Sequence, residues 1–383
     1  MQFCPHCMKP ATGAVCGNCG GNMNWKAPAS QLPVGTQLRG RSGDLYSVGA
    51  AKGQGGFGIT YAAMDMMKGD RVAIKEYFPS RCASRGQDLR VVPQSGQEQV
   101  YLGGKKSFLD EAMMLTKVAH LESVVRVKEC FEANGTAYLV MEYVDGIPLH
   151  EVLRRRGPMP ASELMPKLPK LLGDLESMHS ARVIHRDISP DNIILMPGGE
   201  LKLLDFGSAR SVQDGKSMTV MLKQGFSPVE QYQSKGQGPY TDVYALAATV
   251  YYCLTGVVPP SAVNRLDKDE LVPPNKAGTG LNAAQERALL EGMTVQPKLR
   301  PQSMEDFRRR LFPAFRSGGV AAGSGPVPFS GPGSAQGPIR TTDPGPAPGI
   351  PEDKLPLAIG LGVIGALLSV GLLAAEILLL VNM

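Results

Sequence analysis

The chain has 383 residues, 43% of them hydrophobic, with 40 basic and 35 acidic side chains and a net charge of +5. That length allows more than one domain. So small an excess of positive charge makes nucleic acid or another polyanion an unexpected partner, and no internal repeat points to a solenoid.

The first element is a pair of C-x-x-C knuckles, Cys4-Pro5-His6-Cys7 and Cys16-Gly17-Asn18-Cys19, separated by eight residues. Each knuckle can place two thiolates on one tetrahedral zinc ion, so residues 1–25 read as a zinc ribbon. A segment this short cannot bury a core, and metal binding, worth about 10–16 kcal/mol in comparable peptides, would supply its folding energy. A redox or disulfide role is the alternative, and His6 reads as a spectator. Lys9 and Lys26 are the only cations of residues 1–30, which favours an interaction or sensing module over a nucleic-acid binder. Cys82, Cys130 and Cys253 lack ligand spacing and read as inert thiols in a reducing compartment. Residues 26–43 read as a linker.

Gly53-Gln54-Gly55-Gly56-Phe57-Gly58 follows as G-x-G-x-x-G, where missing side chains let backbone N–H groups approach phosphates. The next residues, Ile59-Thr60-Tyr61-Ala62-Ala63, are β-like rather than helical, which predicts a hairpin over a nucleotide and argues against a dinucleotide fold. Val72-Ala73-Ile74-Lys75 is a buried-strand pattern ending in one cation. A helical stretch with apolar residues at 108, 109, 112 and 115 then offers Glu111 as the ion-pair partner of Lys75, with Asp110 as the competing candidate. The 36-position separation of Lys75 and Glu111 leaves room for an insertion, an extended loop or short hairpin carrying Arg81, Arg85 and Arg90.

His185-Arg186-Asp187-Ile188-Ser189-Pro190-Asp191-Asn192, followed thirteen positions later by Asp205-Phe206-Gly207, carries the chemistry. Asp187 can receive a hydroxyl proton, while Asn192 and Asp205 supply oxygens to metal ions. These motifs, in this order, resemble the eukaryotic-like (Hanks-type) protein kinase family of bacteria, from about Leu45 to about Phe312.

The resemblance implies an α+β, bilobal fold over residues 44–313, with a β-rich N-lobe and a helical C-lobe. It also implies ATP and Mg2+ as cofactors, with Asn192 and Asp205 as the magnesium ligands and Lys75, held by Glu111, on the ATP phosphates. Gly53, Gly55, Gly56 and Gly58 would cover the phosphates. Met141 matches the gatekeeper, backbone groups of Glu142 and Val144 would meet the adenine edge, and Ala73 and Ile194 would sandwich its faces. His120 falls at the family's His-Pro-Asn position and reads as structural. Glu230 is expected to pair with Arg300, and Asp242 to anchor the catalytic loop.

Three positions depart from the family pattern. Ser189 stands where Ser/Thr kinases usually carry a Lys that contacts the γ-phosphate. Thr60 replaces the usual Val over the adenine, which adds a hydroxyl at nearly constant volume. Lys223 falls near the place of the family's Thr before the closing Glu. Arg186 beside Asp187 is the arrangement that can receive a phosphorylated activation loop, for which Ser211, Ser217 and Thr219 are candidates.

Residues 314–354 are rich in Gly, Pro and Ser and read as a disordered tether. Residues 355–381 form an apolar stretch whose only charged residue is Glu376. At 1.5 Å per residue they reach about 40 Å against a hydrocarbon core of about 30 Å, which predicts one transmembrane helix. Ala358, Gly362 and Ala366 form a small-xxx-small stripe that would permit a homodimer. The sequence therefore predicts a membrane-tethered Ser/Thr protein kinase, its N-terminus and catalytic domain cytoplasmic, acting on protein substrates. The alternatives are a nucleotide-binding pseudokinase scaffold and a kinase-fold enzyme acting on a small molecule.

Overall fold

The computed structural model describes residues 2–205, 210–211, 222–232 and 236–313. The expected tether and transmembrane stretch, Phe206, Gly207, Ser217 and Thr219 lie outside the described residues. Among the described residues no helix is long and apolar enough to cross a membrane.

The N-lobe is a six-stranded antiparallel sheet. Its strands are β1 (Gln37–Arg39), β2 (Leu45–Gln54), β3 (Gly58–Asp65), β4 (Arg71–Tyr77), β7 (Val127–Ala133) and β8 (Thr136–Glu142), in the order β1-β2-β3-β4-β8-β7. Between β4 and β7 run a hairpin, β5 (Ala83–Arg85) with β6 (Val91–Pro93), and helix α1 (Glu98–Thr116). The stretch after Lys75 is thus a hairpin followed by the N-terminal turns of α1. Alternation along β4 sends Val72, Ile74 and Glu76 into the lobe and leaves Ala73 and Lys75 on the opposite face. Tyr46, Tyr61, Ile74 and Tyr138 form the centre of the lobe's core, each aromatic or aliphatic side chain contributing about 1.5–3 kcal/mol by burial.

Glu76 is a carboxylate with no exposure in that core. Arg85 Nη2 meets its Oε2 at 2.6 Å, while the hydroxyls of Tyr61 and Tyr138 donate to it at 3.0 and 2.9 Å. The hairpin is riveted to the sheet by a fully partnered buried charge.

The segment expected as a linker lies against the same sheet. It supplies β1, the buried side chain of Leu32, and the Ser30 carbonyl that accepts from Arg85 Nε at 3.0 Å. Ahead of it the two knuckles are built alike. Met8 N donates to the Cys4 carbonyl and Gly20 N to the Cys16 carbonyl, each at 2.8 Å, and Met8 and Gly20 both adopt positive φ, 55° and 71°. A left-handed methionine costs about 1–2 kcal/mol. Its side chain recovers this by packing with Ala62 and Met64 of β3, beside Tyr143.

The C-lobe is helical. After β9 (Ile147–Pro148) come α2 (Leu149–Arg156), α3 (Ala161–Leu164) and α4 (Leu168–Ser180). Short strands β10 (Val183–Ile184), β11 (Ile193–Leu195), β12 (Leu201–Leu203) and β13 (Arg210–Ser211) frame the catalytic loop. Then follow α5 (Val229–Tyr232), α6 (Pro239–Thr255), α7 (Asn264–Asp267), α8 (Ala283–Gly292) and α9 (Met304–Leu311). Helix α6 is buried on every side from Thr241 to Tyr251, and so forms the axis against which the other C-lobe elements pack.

Candidate active site

Lys75 and Asp205 are in direct ionic contact across 130 residues of sequence. Asp205 adopts a left-handed backbone (φ 44°), a strained conformation of the kind concentrated at functional sites. Burial works against the charge on Lys75, but the carboxylates of Asp205 and Glu111 outweigh it and hold the ammonium above its usual range. The sequence points to Glu111 as the partner of Lys75. The structure adds Asp205 as a carboxylate in contact with Lys75, and the charge of Glu111 also favours the ammonium.

The catalytic loop is fixed from below by a single buried carboxylate. Asp242 of α6 accepts at 2.8 Å from the backbone N–H of His185, the backbone N–H of Arg186, and His179 Nε2. Burial raises its carboxyl, yet these partners win and its pKa is lowered. Arg186 is left-handed (φ 66°), and Gln231 of α5 holds its carbonyl at 2.6 Å. His185 Nε2 donates to the Leu204 carbonyl at 3.0 Å and its Nδ1 accepts from Asp187 N–H at 3.2 Å. Burial lowers the His185 pKa, so the neutral ring joins Asp187 to the residue before Asp205.

Asn192 Nδ2 donates to both the carbonyl and Oδ2 of Asp187, at 2.7 and 2.8 Å. That leaves Asn192 Oδ1 available to a cation. Burial pushes the Asp187 carboxyl up, with the charges of Lys223 and His185 opposing and that of Asp205 adding to it. A raised carboxylate is a stronger proton acceptor.

The residues expected at a nucleotide lie on or beside β2, β3, β4, β8 and β11. β2 and β3 form the hairpin over it, closed by Gly55 N donating to the Gly58 carbonyl at 2.9 Å. Ala73 pairs with Met141 across β4 and β8. Ile194 is buried on β11, and Ala73 and Val144 pack against the C-lobe core that contains Met141. Glu142 N–H is already engaged by the Arg126 carbonyl at 2.9 Å, so its carbonyl is the backbone group it can offer an adenine.

With this geometry in place, the comparison with known proteins is decisive: the protein kinase domain family matches residues 46–274. The chain belongs to the protein kinase family. It is 31% identical over 268 residues to serine/threonine-protein kinase B of Synechocystis sp., covering 67% of this chain and 42% of that protein. Serine/threonine-protein kinase PknB of Mycobacterium leprae is 28% identical over 283 residues, covering 70% of this chain and 42% of that protein. A solved structure described as "PpkA-294 apo form" aligns with a TM-score of 0.64 at 32% identity, over 74% of this chain and 99% of that one. The chain spans less than half the length of these curated relatives.

One further feature braces the kinase fold. Arg300 and Glu230 form the expected ion pair, at 2.7 and 3.0 Å, with both side chains sealed from water. The other guanidinium donors go to the carbonyls of Thr294, Tyr240 and Val295, so the buried charge is fully used. Gln231 and Lys223, by contrast, were not picked out as site residues by sequence reasoning. Gln231 follows Glu230 directly, and Lys223 stands where the family carries Thr, which was the available signal.

At the N-terminus the sulfurs of Cys4, Cys7, Cys16 and Cys19 lie within 4.8 Å of one another. Cys4 and Cys19 are 3.6 Å apart and Cys7 and Cys16 3.7 Å, too far for disulfides. His6 stands outside the cluster, its ring edge-on to Trp25 at 5.4 Å. The knuckle also touches the kinase sheet, where Ala50 N of β2 donates to the Pro5 carbonyl at 2.7 Å.

Proposed function

We propose that this protein is an active kinase that transfers the γ-phosphoryl group of ATP to serine or threonine hydroxyls of protein substrates. The observation that carries the reading is the convergence of Lys75 and Asp205 with Asp187 and Asn192. Relatives that are named serine/threonine-protein kinases support the Ser/Thr assignment. Asp187 takes up the hydroxyl proton as the oxygen attacks, held in place by Asn192 Nδ2 and His185. Lys75 orients the phosphates, and the β2–β3 hairpin excludes water above them. Asn192 Oδ1 and the Asp205 carboxylate are hard oxygen donors and fit magnesium, which supplies charge neutralisation when bound.

The four thiols fit a structural zinc ion. With Zn–S bonds near 2.3 Å, a regular tetrahedron has sulfur–sulfur edges of about 3.8 Å, close to the two short separations here. Residues 1–25 are then a zinc ribbon whose contact partner in cis is the kinase N-lobe. For residues 355–381 the reading as a transmembrane helix rests on length and apolar composition. It places the kinase on the cytoplasmic face, tethered through 314–354, and the small-residue stripe would serve a homodimer.

The test is phosphate transfer from labelled Mg-ATP to a generic acceptor protein by the full chain in detergent. Wild type is expected to label serine or threonine, and Asp187→Asn to lose at least about 100-fold in rate. Equal labelling by both proteins would remove the enzyme reading.

A further inference from the structure

The catalytic loop carries Ser189 in place of a lysine, yet an ammonium sits at the catalytic aspartate. It comes from 34 residues downstream. Lys223 Nζ lies 2.8 Å from Ser189 Oγ, 3.1 Å from Asp187 Oδ1 and 3.7 Å from Asp191 Oδ2. We infer that Lys223 is the γ-phosphate cation of this kinase, supplied by the segment before Glu230 because the catalytic loop no longer supplies one. The inference rests on the kinase reading and names a further residue of that site.

Three observations support it. Ser189 is completely buried, and its hydroxyl receives the ammonium in the space a lysine side chain at 189 would need. The two positions are therefore complementary, since a second ammonium there would repel the first. Next, the backbone of Lys223 is built in. Its N–H donates to Ser227 Oγ at 3.0 Å, and its carbonyl accepts from the N–H groups of Phe226 and Ser227 at 3.0 and 2.9 Å. The turn is pinned to the C-lobe at Gly225, whose φ is +85° and whose Cβ, if present, would lie 2.7 Å from the Pro259 carbonyl. Finally, an ammonium has three donors. Ser189 and Asp187 take two, Asp191 is beyond hydrogen-bond length, and the side chain is 30% exposed. One donor remains for an anion beside the proton acceptor.

A lysine that merely neutralises Asp187 and Asp191 would act on the fold and be indifferent to the terminal phosphate. Binding distinguishes the two roles without requiring turnover. Affinities of the full chain for Mg-ADP and for a non-hydrolysable Mg-ATP analogue are measured in wild type, Lys223→Ala, Lys223→Arg and the exchange variant Lys223→Ser with Ser189→Lys. Lys223→Ala is expected to weaken the ATP analogue by about tenfold or more while leaving ADP within about twofold. The exchange variant is expected to restore the analogue's affinity. Parallel loss of both nucleotides, or no loss of either, overturns the assignment, as does an exchange variant that fails to recover while still binding ADP as wild type does. If Lys223→Ala does not fold, Lys223→Arg carries the same comparison, and a ratio equal to that of wild type together with a failed exchange overturns it. Wild type that binds neither nucleotide refutes the kinase reading itself, a separate result.

Discussion

The Pro5 carbonyl accepts a 2.7 Å hydrogen bond from the backbone N–H of Ala50. Pro5 lies between two of the four clustered cysteines, and Ala50 lies on the strand that leads into the glycine-rich loop. Strand β2 is irregular between Val48 and Ala51, so this N–H is directed outside the ladder and the knuckle satisfies it. Met8 adds a buried contact to β3 beside Tyr143.

On the proposed zinc ribbon, loss of metal from the knuckles is expected to reach the nucleotide cleft. Removing zinc with a chelator that spares magnesium, or substituting Cys16→Ser, frees Pro5 and Met8. Losing one hydrogen bond and one buried side chain is expected to lower Tm by roughly 5–15 °C and to raise KM for ATP. Calorimetry and steady-state kinetics on the full chain, with zinc content measured alongside, check this. Unchanged Tm and KM after complete metal loss would make the ribbon a passive appendage.

Gly49→Ala separates docking from metal binding. A Cβ at Gly49 would lie 2.4 Å from the Pro5 carbonyl and 2.6 Å from Met8 Sδ. The ribbon must shift or β2 must distort, at a cost of about 1–3 kcal/mol. The variant is expected to retain its full zinc content while losing thermal stability. Zinc loss in Gly49→Ala would mean that the knuckles need the kinase sheet in order to fold.

Arg85 is expected to be among the most sensitive positions remote from the cleft. Arg85→Met leaves Glu76 buried without its cation, and breaking a pair of this kind costs about 3–5 kcal/mol. Glu76→Gln combined with Arg85→Met is expected to recover part of that loss, because an amide can still meet the hydroxyls of Tyr61 and Tyr138. Thermal melts of the two variants decide it. A double variant no more stable than Arg85→Met would place the stabilisation in packing of the guanidinium.

The chemistry was more legible in this chain than the connections that support it. Lys75, Asp187, Asn192 and Asp205 stand in short motifs whose spacing is set by the reaction, so their order alone suggested a common site. Glu230 with Arg300 was legible for the same reason. Arg85 and Glu76 were not, because one buried arginine in a hairpin has the same local sequence as an exposed one, and only tertiary burial distinguishes them. The segment 26–43 looked like a linker for its polar composition, but a few side chains such as Leu32 suffice to bind it to the sheet. Lys223 was visible only as a departure. Read together with Ser189, two departures that compensate each other would have been the stronger signal.

Asp242 sets the acid limit of the C-lobe. Its carboxyl is held below the ordinary range by His179 and the N–H groups of His185 and Arg186, despite complete burial. For a carboxylate whose folded pKa is depressed, the stabilisation is fully present above the unfolded value of about 3.9 and is lost as pH falls through the lower folded value. Asp242→Asn keeps the shape but turns one acceptor into a donor, which would face either the Arg186 N–H at Oδ1 or the His185 N–H and His179 at Oδ2, at a cost of about 3 kcal/mol or more. The Tm difference between wild type and Asp242→Asn is therefore expected to be constant from neutral pH down to about pH 5, and to shrink below about pH 4. A difference that narrowed instead between pH 6 and 7 would assign the linkage to a histidine of the cluster rather than to Asp242.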